Sequence, residues 1–196
     1  MALTPSSMPA LGTPAADFVL PDTVSENLFS LKQLRSARAT VVMFLSNHCP
    51  YVKHVLEGLV RLGHDYRSKG VGFIAIGCSD TETYPEDSPG RMRLLAQRQG
   101  FPFPYLYDES QEVARAYQAA CTPDFFVFDA QLRLAYRGRL DDSRPGNGVP
   151  VSGRDLRAAL NALLAGKTVS EDQQPSLGCS IKWREAAPAA SAFLEF

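Results

Sequence analysis

Cys49 is the residue best suited to redox chemistry, because it stands where an apolar strand pattern runs into a helical one. The strand pattern covers 41–45, and the helical pattern begins at Pro50. Ser46 stands three residues before the cysteine, at the position of the first thiol in a Cys-x-x-Cys pair. In such a pair one thiolate attacks a disulfide and the other thiol resolves the mixed disulfide. The spacing predicts a redox motif that has kept one of its two thiols.

The groups next to Cys49 are expected to favour its reactive form. Unpaired N–H groups in the first turn of a helix, and the positive end of its dipole, stabilise a thiolate. His48 adds charge when protonated, and Ser46 is predicted to cap the helix or to donate a hydrogen bond to the sulfur. The competing interpretation is structural, since a free cysteine is often a small buried apolar residue. The catalytic interpretation assigns roles to Cys49, Ser46 and His48.

Three further cysteines are candidates for a second redox thiol: Cys78, Cys121 and Cys179. Cys78 follows the strand pattern 71–77, so Cys49 and Cys78 are expected near one edge of a sheet. Cys179 is expected to reach Cys121 or Cys78 if the tail folds back. The wide spacing of the four cysteines fits neither a zinc ribbon nor a secreted disulfide framework. We therefore expect free thiols, with no metal and no cofactor.

Alternating strand and helix patterns predict the elements that position these residues. The apolar runs 40–45 and 71–77 are each followed by a helical pattern, at 50–69 and 88–99, which indicates parallel β-α-β units. The other predicted elements are an N-terminal hairpin in 16–30, a strand at 105–107, a helix at 111–117, a hairpin in 125–137 and a helix at 153–164. These patterns predict an α/β fold with a central mixed sheet flanked by helices.

A chain of 196 residues that is 45% hydrophobic is long enough for one domain with extensions. We expect a flexible or surface-hugging leader at 1–14, a domain at 15–172 and a tail at 173–196. The first half of the tail is expected to dock on the domain, because Ile181 and Trp183 are apolar.

The charge of the chain restricts its partners and location. A formal net charge of −1 leaves no excess of basic residues to neutralise phosphates, so nucleic acid is not expected as a partner. The first 14 residues lack the pattern of a signal peptide, and no run reaches the roughly 20 apolar residues of a membrane helix. We expect a cytoplasmic protein without a membrane partner.

Several longer motifs, taken together, resemble a known family. They are 14–21, 47–54, 84–89, 121–126, 140–145 and 178–183. The set resembles a thioredoxin-like (redoxin) subfamily of the alkyl hydroperoxide reductase and thiol-specific antioxidant group. This resemblance implies a thioredoxin fold with an N-terminal β-hairpin and a C-terminal extension. It also implies a cis Thr122–Pro123 bond facing the redox cysteine, with Thr122 and Pro123 binding an extended substrate chain and Cys121 beside the site.

The chain departs from this family at Ser46, where members usually have a cysteine. Peroxiredoxins, which share the fold, have Thr or Ser three residues before their peroxide-attacking cysteine, as in Ser46-x-x-Cys49. Their proline seven residues before that cysteine is replaced here by Val42. Either Arg139 or Arg144 is a candidate cation for polarising a peroxide.

The resemblance implies a thiol-dependent oxidoreductase in which Cys49 attacks a peroxide or a disulfide. Its reductant would be an external thiol such as thioredoxin or glutathione, and a non-adjacent cysteine would be one way to complete turnover. Two alternatives remain open at this point. One is a redox-inactive binding module that has kept the substrate groove, and the other is a thiol sensor that reacts once without turnover.

Overall fold

The computed structural model describes residues 3–184, and a five-stranded mixed sheet lies at its centre. The elements in chain order are β1 (Leu3–Pro5), β2 (Val19–Pro21), β3 (Leu28–Ser30), α1 (Leu31–Leu34), β4 (Ala39–Phe44), α2 (Pro50–Arg67), β5 (Val71–Gly77), a 3₁₀ turn (Pro85–Asp87), α3 (Pro89–Gln99), β6 (Tyr105–Tyr107), α4 (Glu112–Ala116), β7 (Cys121–Thr122), β8 (Asp124–Asp129), β9 (Leu134–Gly138), α5 (Arg154–Leu164) and β10 (Leu177–Ser180). The predicted helices and strands therefore form, with boundaries shifted by a few residues.

The central sheet has the strand order β6-β5-β4-β8-β9. Strands β4, β5 and β6 run parallel, whereas β8 and β9 add in antiparallel fashion. Every residue of β4 is buried, because its side chains alternate between two cores. Val41 and Met43 pack into one core, and Val42 and Phe44 pack into the other. This two-sided burial explains the uninterrupted apolar run in the sequence.

Helices and loops cover both faces of this sheet. Leu59 of α2 and Leu160 of α5 belong to the first core, which also contains Cys49. Phe18 and Tyr117 belong to the second core, on the other face. The segment that connects β4 to α2 therefore places Leu45 and Cys49 in the first core.

Helix α2 is an amphipathic surface helix. Val52, Leu56 and Leu59 are buried, whereas Lys53 and Glu57 are exposed. An 18-residue helix with this pattern packs one face on the sheet and leaves the other in water. Within residues 3–184, no helix combines the length and the apolar character needed to cross a membrane.

A second, three-stranded antiparallel sheet joins the two ends of the described chain in the order β1-β10-β7. Cys179 of β10 lies opposite Thr122 of β7 on one side and opposite Leu3 of β1 on the other. The Ser6 N–H donates to the Ser176 carbonyl at 2.9 Å, which continues the pairing of β1 with β10.

The prediction of a flexible leader is therefore wrong for residues 3–5, which form a paired strand. Backbone hydrogen bonding to β10 overrides the loop-like composition of this segment. In the tail, Leu177–Ser180 form a strand and Ile181 is buried. Residues 185–196 of the predicted tail lie outside the described residues.

Candidate functional site

Cys49 is the N-cap residue of α2, and its side chain is fully buried. Its backbone is extended, and Pro50 takes the first helical position, where no N–H group is needed. The Cys49 N–H donates to the Ser46 carbonyl at 3.3 Å, and the Cys49 carbonyl accepts from the Lys53 N–H at 3.0 Å. The predicted strand-to-helix junction thus holds the sulfur at the N-terminus of α2.

The sulfur of Cys49 contacts two groups from distant parts of the chain. Its Sγ lies 3.1 Å from the carbonyl oxygen of Thr122 and 3.1 Å from the Sγ of Cys179. Cys179 is almost completely buried, with 2% of its surface exposed. The sequence leaves open whether Cys179 reaches Cys121 or Cys78, and pairing of β10 with β7 brings it opposite Thr122, beside Cys121, with its sulfur against Cys49.

The loop between β7 and β8 contains a cis Thr122–Pro123 peptide bond, which confirms the implication of the resemblance. Residues before and within β10 pack directly on this loop. The Ser176 hydroxyl donates to the Pro123 carbonyl at 2.5 Å, and Cys179 pairs with Thr122. Strand β10 therefore covers the edge of β7 that the resemblance assigns to a substrate chain.

Cys121 and Cys78 have different surroundings. Cys121 is buried, and its sulfur lies 3.7 Å from the Pro123 carbonyl oxygen. Burial, with a smaller contribution from Asp124, raises the pKa of the Cys121 thiol far above its usual value. Cys78 packs into the second core, whereas Cys49 and Cys179 belong to the first. Cys49 and Cys78 both follow the carboxyl ends of the parallel strands β4 and β5, as expected, but their side chains pack on opposite faces of the sheet.

Ser46 does not cap α2, so this prediction is wrong as well. Because Pro50 starts the helix, Cys49 is its N-cap and the Ser46 hydroxyl lies one turn too early. That hydroxyl is 3.0 Å from Nδ1 of His48. The acceptor for this segment is Asp87, whose Oδ1 accepts from the N–H groups of Asn47 and His48 at 2.6 and 3.2 Å.

The side chain of His48 contacts Asp87 and Tyr84. Its Nδ1 lies 2.9 Å from Oδ2 of Asp87, and its ring stacks on Tyr84 with centroids 4.8 Å apart. Its Nε2 is buried without a hydrogen-bond partner among residues 3–184. These contacts fix the backbone between Ser46 and Cys49. That His48 adds charge beside the sulfur stays a prediction.

Asp124 is a buried acid beside the site that the sequence analysis did not single out. It follows Pro123, is fully buried, and accepts a hydrogen bond from the Ala120 N–H at 3.3 Å. Burial raises the pKa of its carboxyl group to about 8. Asp124 is therefore mostly protonated at neutral pH. An acid at the start of the apolar run 124–128 is the sequence signal that identifies it.

Lys182 is a second charged residue near the thiol pair. Its Nζ lies 3.2 Å from the Ser180 hydroxyl and 5.5 Å from the centre of the Tyr84 ring. Burial and the neighbouring Cys49 sulfur raise the pKa of Cys179 to about 12, and Lys182 acts in the opposite direction. Cys179 is therefore a protonated thiol at neutral pH.

A small cleft opens on the other side of Pro123. Its lining includes Tyr51, Ser143 and Leu177, together with the two arginines considered as cation candidates, Arg139 and Arg144. The Nε of Arg139 is bound to Asp155 at 2.6 Å. Within residues 3–184, no group of three or more His, Cys, Asp or Glu side chains is arranged to hold a metal ion.

Two solved bacterial proteins are similar to nearly the entire chain. An uncharacterized conserved protein from Geobacillus kaustophilus is 56% identical, with a TM-score of 0.94 over 95% of this chain and 99% of that one. A hypothetical protein from Sinorhizobium meliloti is 48% identical, with a TM-score of 0.91 over 93% of this chain and 100% of that one. Comparison with curated proteins gives no match.

A more distant structure establishes the fold. A thiol:disulfide interchange protein of the thioredoxin family from Chlorobium tepidum is 20% identical, with a TM-score of 0.60 over 80% of this chain and 99% of that one. This confirms the expected thioredoxin fold with its central mixed sheet. The model of the AhpC/TSA family matches residues 11–137, which include the Cys49 junction and the cis-proline loop. The chain therefore belongs to the AhpC/TSA family.

Proposed function

We propose that this protein is a thiol-dependent oxidoreductase in which Cys49 is the reactive thiol and acts on a peroxide or a disulfide. The observation that carries the proposal is the placement of the Cys49 sulfur at the N-terminus of α2, 3.1 Å from the Thr122 carbonyl. The Cys49 side chain makes no capping hydrogen bond, and its thiol donates to the Thr122 carbonyl, so attack by the sulfur requires this contact to open. Membership of the AhpC/TSA family supports the same class of chemistry.

Either substrate gives a short reaction sequence at Cys49. With a disulfide, the Cys49 thiolate forms a bond to one sulfur and expels the other as a thiolate, which leaves a mixed disulfide. With a peroxide, the thiolate attacks one oxygen, becomes a sulfenic acid and releases an alcohol or water. Two external thiol groups, from one thioredoxin or two glutathione molecules, then return the oxidised Cys49 to its reduced form and themselves become a disulfide. A cytoplasmic location would supply both reductants.

Access to Cys49 requires movement of the chain around it. The side chain is fully buried, and its sulfur is covered by Thr122 and by Cys179 of β10. Separation of β10 from β7 would uncover both the sulfur and the Thr122 backbone. An extended substrate could then add to the exposed edge of β7, as strands commonly do at free sheet edges.

The test is peptide mass mapping after one equivalent of hydrogen peroxide, with free thiols trapped, on the native protein and on Cys49→Ser. Cys78→Ser is the matched control, because it also removes one buried thiol but from the opposite core. We expect oxidation of Cys49 in the native protein and in the control, and continued turnover when thioredoxin or glutathione is supplied.

Other results would favour the alternative functions. An inert Cys49 in a folded protein would contradict the proposal and favour a binding module that uses the β7 edge. Oxidation of Cys49 that neither reductant reverses would favour a single-turnover sensor. Thermal unfolding of each variant checks that the substitutions leave the fold intact.

A further inference from the structure

We propose that Cys179 is the second redox thiol of this protein. Strand β10 thus supplies the resolving thiol that Ser46, at the usual position of that thiol, cannot provide. Oxidation would then end in a Cys49–Cys179 disulfide, formed between the start of α2 and the C-terminal strand. This inference rests on the proposed function of Cys49 and goes further, because it identifies the resolving thiol and the segment that carries it.

The distance between the two sulfurs is the first argument. Their separation of 3.1 Å needs to shorten by only about 1 Å to reach the length of a disulfide bond. Both side chains lie in the same core, and neither has to leave it to meet the other. Cys121 does not share this arrangement, since its sulfur faces the carbonyl oxygens of Pro123 and Ser176.

In the closed structure, β10 is paired with a neighbouring strand on each side. Its Cys179 pairs with Thr122 of β7 and with Leu3 of β1. Gly178 brings the strand close to β7, because a Cβ atom at this position would lie only 2.0 Å from the Thr122 carbonyl oxygen. A strand held in this register presents one defined sulfur to Cys49.

Strand β10 occupies the edge of β7 where a substrate chain would bind. It lies antiparallel along the edge of β7, beside the carbonyl that contacts the Cys49 sulfur. A substrate chain adding to that edge would bring its own sulfur to the position that Cys179 holds. The protein therefore carries a tethered equivalent of its substrate, and β10 and an incoming chain compete for one edge. Tethering also gives the internal thiol a high effective concentration.

The reaction balances with the thiols of Cys49 and Cys179 and one external reductant. After Cys49 has formed a sulfenic acid, the Cys179 sulfur attacks the Cys49 sulfur, the S–OH bond breaks, and the hydroxyl leaves as water with the thiol proton. After a mixed disulfide, the same attack expels the substrate thiolate. In both cases the product is the Cys49–Cys179 disulfide. An external dithiol reduces it to two thiols and is itself oxidised to a disulfide.

The experiment follows the reaction with an aromatic disulfide that releases one coloured thiolate at each displacement. Native protein, Cys179→Ser and the control Cys78→Ser, which removes a thiol from the opposite core, are compared, and the products are mapped by mass spectrometry. We expect a rapid release of two thiolates from the native protein and from Cys78→Ser, with a Cys49–Cys179 disulfide in both. Cys179→Ser should release one and keep a stable mixed disulfide at Cys49.

The outcomes separate this inference from the proposed function. Reaction at Cys49 that ends in a mixed disulfide in the native protein, or in a bond to Cys121 or Cys78, would overturn the inference and leave the reactive Cys49 standing. No reaction at Cys49 in the native protein would overturn both. Mapping of the native protein does not depend on the folding of any variant, so a misfolded Cys179→Ser would not prevent the decision.

Discussion

Gly178 presses its backbone against the carbonyl oxygen of Thr122 so closely that a Cβ atom would lie 2.0 Å from that oxygen. The obstructing atom is backbone and cannot rotate away. Gly178→Ala is therefore expected to push β10 from β7 and to carry Cys179 away from Cys49. Because closure of the pair depends on position, we expect disulfide formation to slow by about ten- to a hundredfold. The second phase of thiolate release measures this rate.

Gly90→Ala is the matched control for that substitution. Gly90 lies in α3, and a Cβ atom there would meet nothing within 4 Å. Alanine favours helices, so stability should be unchanged or slightly higher. An unchanged closure rate in Gly178→Ala would contradict the view that close packing of β10 positions Cys179.

Asp87 is expected to matter for the segment before Cys49. Its carboxylate binds the N–H groups of Asn47 and His48 and the imidazole of His48. Asp87→Ala would leave these donors to partial hydration, at a cost of about 1–2 kcal/mol in the free energy of unfolding. Glu86→Ala is the control, since Glu86 is exposed and only its backbone carbonyl binds Asn47. Denaturant unfolding measures both, and equal losses would argue against the role of Asp87.

The raised pKa of the Asp124 carboxyl group predicts that the stability of the protein depends on pH. Burial raises its pKa from 3.8 to about 8, so between these values the folded protein binds a proton that the unfolded chain releases. Stability should therefore fall as pH rises from about 4 to about 8, by at most about 1.4 kcal/mol per pH unit from this group.

Asp124→Asn should flatten that slope, because the amide does not titrate. Asp172→Asn, at an exposed position, serves as the control and should keep the native slope. Denaturant midpoints at pH 5, 6, 7 and 8 give the comparison. Parallel curves for the native protein and Asp124→Asn would show that the buried carboxyl does not control this dependence.

The raised pKa of Cys179 predicts how the closure of the disulfide depends on pH. Burial, the largest cause of the raised pKa, still acts on Cys179 when Cys49 is held in the mixed disulfide, and attack requires the thiolate. The rate of the second phase should therefore rise about tenfold per unit between pH 7 and 9. Lys182→Gln should slow closure, because Lys182 favours the charged form of Cys179. A plateau of the rate near neutral pH would contradict this prediction.

Local sequence patterns were sufficient for the α/β class with its central mixed sheet and for the position of Cys49 in the fold, whereas the thioredoxin fold was implied by the family resemblance. The apolar runs of β4 and β5 and the helical pattern after Pro50 are short-range signals, and they place the thiol at a strand-to-helix junction. The error at Ser46 was also local. The position of Ser46 before the helical pattern suggests that it is the N-cap. Because Pro50 takes the first helical position, the N-cap is Cys49 instead.

The pairing of Cys49 with Cys179 could not be predicted in this way. It depends on the register of β10 against β7, and this register is set by contacts between segments far apart in the chain. Strand β1 could not be predicted either, because three residues ending in Pro5 carry little strand signal. This strand forms because it pairs with β10. Asp87 lies in the segment 84–89, and nothing in the local sequence shows that its carboxylate binds the N–H groups of Asn47 and His48.

Cys49 and Cys179 are separated by 130 residues in the sequence, so the ribosome synthesises them at different times. Because a ribosome makes the chain from its N-terminus, Cys49 is synthesised and can enter a folding sheet well before Cys179 exists. Until β10 emerges, the nascent chain holds its junction thiol without the strand that covers it. The sulfur pair, and the shielding of Cys49 from cellular oxidants, are thus acquired together in a late step of biosynthesis.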